Sequence, residues 1–242
     1  MINYLKLHFN YLFSKLFISF YSFLLGIIFI GIIQASNLDL GFSYLDGFRV
    51  EYYKVFIIQV SLLVEVMVVF ISIFIATILA YKTNDYLLVF SANNYKQRFY
   101  FYLSRIIVAI FVIFITILII FVFQIAFIKI LTPLNNDYLL TVKVFFLILL
   151  KSIFFIFLIF FFMSVINHFL LGILPIIVFW YEKMIYSYEE LSDVQEVIVS
   201  FIPSFMIVEN KIILYQELNL YLIFLFIILM AGLGVNLTKD SR

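Results

Sequence analysis

Two ionisable residues stand inside otherwise apolar stretches, Glu65 within 55–81 and Lys151 within 142–166. A charge at the centre of a bilayer costs about 2.5–3.5 kcal/mol even on the mildest scale, so such a residue is a candidate for pairing or for a transport route. Glu65 lies about ten residues from the start of its stretch and Lys151 about nine. At 1.5 Å per residue both sit roughly 13–15 Å below one membrane face. Similar depth and opposite sign make a buried ion pair the expected arrangement. The alternative is that each charge finds hydroxyls or water separately. Gln59 and Ser61 share the stretch with Glu65, and Pro175 interrupts a later one, so these five residues form the candidate lining of a route.

Other chemistries find little to work with. The chain has no cysteine, which removes disulfides, thiolate metal sites and cysteine nucleophiles. Its two histidines, His8 and His168, are far apart, and His168 follows Asn167 in a tight turn, so no metal site is expected. Glu189-Glu190 resembles the paired glutamates of intramembrane prenyl-protein proteases, but no Arg follows in range and no His cluster supports it. There is no G-x-S-x-G elbow. Gly26 and Gly31 have the glycine spacing of a phosphate-binding loop, yet Ile32 and Ile33 follow where Lys and Ser or Thr are needed. The chain therefore reads as a non-enzyme that binds neither ATP nor magnesium itself. A net charge of +1 argues against nucleic acid.

The elements that must position Glu65 and Lys151 are membrane helices. Of 242 residues, 67% are hydrophobic and only 12% charged, half the share of about a quarter in soluble domains. With about 20 apolar residues needed per span, the length accommodates about six helices and their loops in one transmembrane domain covering 1–242. Residues 1–15 place Leu5, Phe9 and Leu12 at helical spacing, which predicts an interfacial helix or else the start of a long first span. The spans are expected at 16–34, 55–81, 106–131, 142–166, 169–188 and 218–237, with Pro175 kinking the fifth. Residues 36–54 read as a polar loop. Residues 187–219 read as a helical hairpin on the outer side, with apolar patches at Phe205–Val208 and Ile212–Leu214.

Orientation follows from Lys and Arg, which favour cytoplasmic loops. The segments placed inside hold eight basic residues and two acids, those placed outside six basic residues and eleven acids, and the inner segments are the shorter. Both termini are thus expected in the cytoplasm, with the protein in the plasma membrane. The segment 82–105 is the main basic interruption, with Lys82, Lys96, Arg98 and Arg105 against Asp85. Within it Tyr86, Leu87, Leu88, Val89 and Phe90 form an apolar cluster. Headgroups, the chain's own bundle or a partner protein must cover these side chains.

Six spans, an interfacial amino-terminal helix, a cytoplasmic loop with a short apolar helix and an outer helical hairpin together resemble the ABC-2-type permeases, the membrane subunits of ATP-binding-cassette exporters. In sequence the resemblance rests on Asp85-Tyr86-Leu87-Leu88, Ser91, Asn93 and Phe101-Tyr102-Leu103-Ser104-Arg105. It implies an all-α fold of the type V exporter kind. It also implies a cytoplasmic ATPase partner that binds ATP and magnesium, and a second copy of the chain or a paralogous permease. Under it, Asp85, Tyr86, Leu87, Leu88, Phe90, Arg98 and Arg105 become the coupling residues. Size and composition look most like exporters of toxins or bacteriocin-like peptides, including those of phenol-soluble modulins. The rival reading is a membrane interaction protein that gives immunity or regulation without transport.

Overall fold

The computed structural model describes residues 1–40, 49–81, 94–131, 138–165, 174–185, 205–208, 211–214 and 218–238. Within them the chain is helical apart from one two-stranded ribbon. The helices are α1 (Ile2–Leu12), α2 (Lys15–Leu40), α3 (Arg49–Ala80), α4 (Tyr95–Leu131), α5 (Tyr138–Val165), α6 (Leu174–Ile185) and α7 (Leu218–Thr238). Four of them, α2 to α5, are long and apolar enough to cross a membrane, and α7 adds the apolar run Leu222–Val235.

Helix α1 is separate from α2 for a local reason. The Ser14 hydroxyl oxygen accepts the backbone N–H of Phe17 at 3.3 Å, capping α2 three residues into the chain that follows. The apolar stripe of α1 is also turned differently from the expectation of an interfacial helix: Leu12 is buried and Leu5 and Phe9 pack against the bundle, with Phe9 edge-on to Phe111 of α4.

The long helices α2 to α5 alternate in direction. Phe17 stacks on Phe74, and Gly31 lies so close to Leu63 that a Cβ there would collide with its side chain, so α2 and α3 are antiparallel. Tyr21 shares a 2.6 Å hydrogen bond with Thr116, and Phe29 stacks on Phe123, so α4 runs with α2. The Tyr102 hydroxyl donates to the Phe160 carbonyl at 2.9 Å while Phe121 meets Phe145, which sets α5 against α4. Gly232 of α7 packs against the Phe161 backbone and the Tyr102 hydroxyl, a closeness that its missing side chain permits.

The faces of α4 show what solvent the fold is built for. Val108, Val112, Ile113 and Ile120 are buried, while Phe111, Phe114, Leu118 and Val122 on the other side are 44–55% exposed. A soluble protein would place polar residues there. An outer face as apolar as the inner one suits lipid, and marks the chain as a multi-pass membrane protein. Helix α5 is the central one, buried on most sides, and its interface with α3 is the most extensive in the described structure.

Several expectations are corrected. The polar loop 36–54 is partly helical, since α2 continues to Leu40 and α3 begins at Arg49. Within 82–105 the helix α4 already begins at Tyr95, because Asn94 supplies a favoured capping residue and its carbonyl accepts the N–H groups of Gln97 and Arg98. Pro175 is the second residue of the described α6, and the kink expected there involves residues 166–173, which lie outside the described residues. The described part of α6 covers 12 residues of the fifth span expected at 169–188. Finally, Phe205–Val208 and Lys211–Leu214 are antiparallel strands, β1 and β2, pairing Val208 with Lys211 and Phe205 with Leu214. Four β-branched residues, Ile207, Val208, Ile212 and Ile213, separated by the short Glu209-Asn210, favour that ribbon over the helices expected at 205–214. The remainder of 187–219 up to residue 204 lies outside the described residues.

Candidate functional site

The site grows from the contact between α3 and α5. Serines and threonines on these helices are occupied locally: Ser72 donates to the Val69 carbonyl, Thr77 to that of Ile73 and Ser152 to that of Ile148. Such back-bonding satisfies the hydroxyl within its own turn. An ammonium and a carboxylate cannot be satisfied that way, and the structure brings them to each other. Lys151 Nζ donates to Glu65 Oε1 at 2.6 Å, with side-chain exposures of 0% and 2%. Lys151 stands near the middle of α5 and so near the middle of a span.

Aromatic rings seal the pair. The face of Phe179, from α6, lies 5.2 Å from the Lys151 ammonium, within range of a cation–π attraction. Phe155, one turn beyond Lys151, meets Phe179 edge-on at 5.8 Å, and Phe70 of α3 meets it at 6.2 Å. Pro175 and Phe179 are four residues apart on one face of α6, and both are buried. The same face of α6 thus carries Phe179 into the site. Ser61, one turn before Glu65, is buried on the same face of α3. Gln59 is in α3 but outside the residues whose side chains are described.

Energetically the arrangement favours register more than raw stability. In a low-dielectric interior the attraction of a buried pair roughly offsets its desolvation, so an apolar replacement of both partners is often neutral. Removing one partner is different, because the survivor stays buried and uncompensated, at about 3–5 kcal/mol. A one-turn slip of α3 along α5 would separate the charges and incur the same penalty. The pair therefore holds the two helices in one relative position.

A second buried polar group lies between α1 and α4. The His8 ring is edge-on to Phe101 at 4.7 Å, and the Arg105 guanidinium carbon stands 4.4 Å from the same ring. His8 is 1% and Arg105 3% exposed. Burial first, and the Arg105 charge second, push the His8 pKa down to about 4, against a smaller opposing effect of a backbone hydrogen bond with Phe101. His8 is accordingly neutral at neutral pH. Its Nε2 has no hydrogen-bond partner among the described residues.

The sequence-derived coupling set is divided by these positions. Asp85, Tyr86, Leu87, Leu88 and Phe90 lie outside the described residues, as does His168. Arg98 is half-buried on the first turns of α4. Arg105 packs over Phe101 and is buried. Two residues went unnoticed in the sequence. His8 was legible, since Leu5, His8 and Leu12 recur at intervals of three and four residues and place the imidazole on the apolar stripe. Phe179 carried no signal, being one of 33 phenylalanines in the chain. Comparison with family models, with curated proteins and with solved structures yields no match, so the geometry itself carries the functional argument.

Proposed function

We propose that this chain is the membrane permease subunit of an ATP-binding-cassette exporter, of six spans with both termini in the cytoplasm of the cell that carries it in its plasma membrane. The observation that carries the reading is the gathering of elements at one end of the bundle. The alternating helix directions put α1, the end of α3 and the start of α4 together, with Tyr4 and His8 of α1 against Phe101 of α4. Lys6, Lys15, Lys96 and Arg98 are at that end, and no acid accompanies them among the described residues. The α3–α4 connection, with Tyr86, Leu87, Leu88 and Phe90, leaves from the same end. A cytoplasmic ATPase needs such a handle, because the chain has no nucleotide loop of its own.

The ion pair gives the handle a means of acting on the bundle. Force applied to the connection moves α3, and the Glu65–Lys151 bond makes α5 follow it. Two copies of the chain, or one with a paralogue, would enclose a route that neither forms alone. The many phenylalanines suit an amphipathic or hydrophobic substrate, in the first instance a small peptide or toxin.

Co-purification in mild detergent with the cassette ATPase encoded beside this gene tests the reading, with Leu88→Asp as the control. The expected outcome is a complex with the wild-type chain that the variant loses while still inserting and folding. Equal binding by both would relocate the coupling site. The absence of any ATPase complex would overturn the permease reading in favour of a non-transporting immunity or regulatory protein.

A further inference from the structure

Helix α1 carries two stripes of side chains at helical spacing. One, Leu5, His8 and Leu12, faces the bundle, with His8 and Leu12 buried. The other is Ile2, Lys6, Phe9 and Phe13, whose steps of four, three and four residues bring side chains onto one line of a helix. It faces away from the bundle: Ile2 is 81% and Phe13 40% exposed, Lys6 is exposed, and Phe9 is half-buried. Phe9 stacks on Phe13 at 5.8 Å and meets Phe111 edge-on at 5.7 Å. Phe111 belongs to the lipid-facing side of α4, so the second stripe of α1 continues that side without a break.

We propose that this stripe is a docking site for an anionic phospholipid of the leaflet at that end of the bundle. Its acyl chain lies along Phe9, Phe13 and Phe111, and its headgroup is met by Lys6 and Lys15. The rings share their solvent with the rest of the outer surface, but Lys6 is set inside the stripe. Lys15, also exposed, follows two residues after Phe13 and three before the exposed Ile18. An ammonium in hydrocarbon carries a large penalty, and its four-carbon stem lets it reach the headgroup level, where phosphate oxygens accept its N–H groups. Two ammoniums beside one aromatic groove match a headgroup of net negative charge better than a zwitterionic one, which brings an ammonium of its own. A free phosphate ion would leave the rings uncovered. A second copy brought face to face through this stripe would set lysine against lysine. The inference needs only that α2 to α5 cross a membrane, and it stands apart from the exporter reading.

Position separates this site from the general positive charge of that end. Lys96 is exposed as well, yet it precedes Phe111 by about 22 Å along α4 and so lies away from the groove. It contributes to the long-range field and not to the site. A lysine close to an anionic membrane surface strengthens binding about fivefold, so the pair should favour anionic over zwitterionic lipid about 25-fold.

The chain has one tryptophan, Trp180 of α6, so a tryptophan introduced beside Trp180→Phe reports from a single place. Phe13→Trp sets it in the groove, and Ile2→Trp, at the other end of the stripe, serves should Phe13→Trp fail to fold. The full-length protein is reconstituted in phosphatidylcholine bilayers. Its fluorescence is then quenched with phosphatidylglycerol or phosphatidylcholine whose acyl chains are brominated close to the headgroup. The expected result is a preference for phosphatidylglycerol of about 25-fold, lowered about fivefold by Lys6→Gln and by Lys15→Gln. Lys6→Arg should keep the preference, and Lys96→Gln should change it less than about twofold. Equal quenching by the two lipids overturns the proposal, as does a preference that survives the loss of both lysines or falls as far with Lys96→Gln. Quenching by neither lipid would place a protein surface on the stripe, and overturns it too.

Discussion

Two regions of this protein bury charge to the same degree and end up with opposite properties. Between α3 and α5, Lys151 meets a carboxylate at 2.6 Å, so each charge is the other's solvent. Between α1 and α4, the buried Arg105 faces an imidazole that is bearable only while neutral. The first region resists any change of charge state and ties two central helices together. The second is conditional on pH, and it holds a short helix that Ser14 caps off from α2. Burial alone does not decide whether a polar group fastens or releases. The sign of what lies beside it does.

Breaking the central pair should give the largest effect. Lys151→Met removes the ammonium from the buried Glu65 carboxylate and should destabilise the bundle by about 3–5 kcal/mol, measured as unfolding in an SDS titration. Glu65→Leu combined with Lys151→Met should recover to within about 1 kcal/mol of the parent, and the exchange Glu65→Lys with Lys151→Glu should recover most of the loss. A double variant no better than the singles would show that the two side chains do not act as a pair.

The aromatic seal comes next. Phe179→Leu keeps an apolar side chain but removes the ring over the ammonium, at a cost of about 1–2 kcal/mol by the same titration. In the Glu65→Leu, Lys151→Met background that cost should shrink to the difference in packing alone. An unchanged cost would mean that Phe179 merely fills space. Smaller again is Tyr102→Phe, which deletes the bond to the Phe160 carbonyl and should cost about 0.5–1.5 kcal/mol, as inter-helix hydrogen bonds in membranes usually do.

At the conditional region the comparison sharpens into a pH response. Stability measured at pH 7.5 should be nearly blind to His8→Asn, while between pH 6.5 and 4 the parent should lose stability that this variant keeps, since burial lowers the His8 pKa to about 4. A parent chain that loses no more than the variant over that range would make the two regions alike.

How far these regions could be read beforehand differs. Glu65 and Lys151 were visible as the two charges inside apolar runs, and equal depth was enough to pair them. Phe179 was not, because nothing in a chain so rich in phenylalanine separates one ring from its neighbours. The Ser14 cap was readable in principle, as a small hydroxyl residue between two apolar runs, and so was His8 on the stripe of α1. The strands at 205–214 were misread as helix because short apolar runs fit both periods, and only the pairing of one run with the other decides. The burial of Arg105 was not legible, because charge suggests a surface and only the packing of its helix turns it inward onto Phe101.

By itself the sequence determined the class of solvent, the existence of the long helices and the presence of charges within them. These follow from composition and local spacing, which act through each residue's own transfer free energy. Tertiary structure alone decided which ring covers Lys151, which face of α1 is buried and that Arg105 packs onto Phe101. Those outcomes depend on the rotation and register of one helix against another. Apolar residues on every side of a helix leave both undetermined until the helices pack.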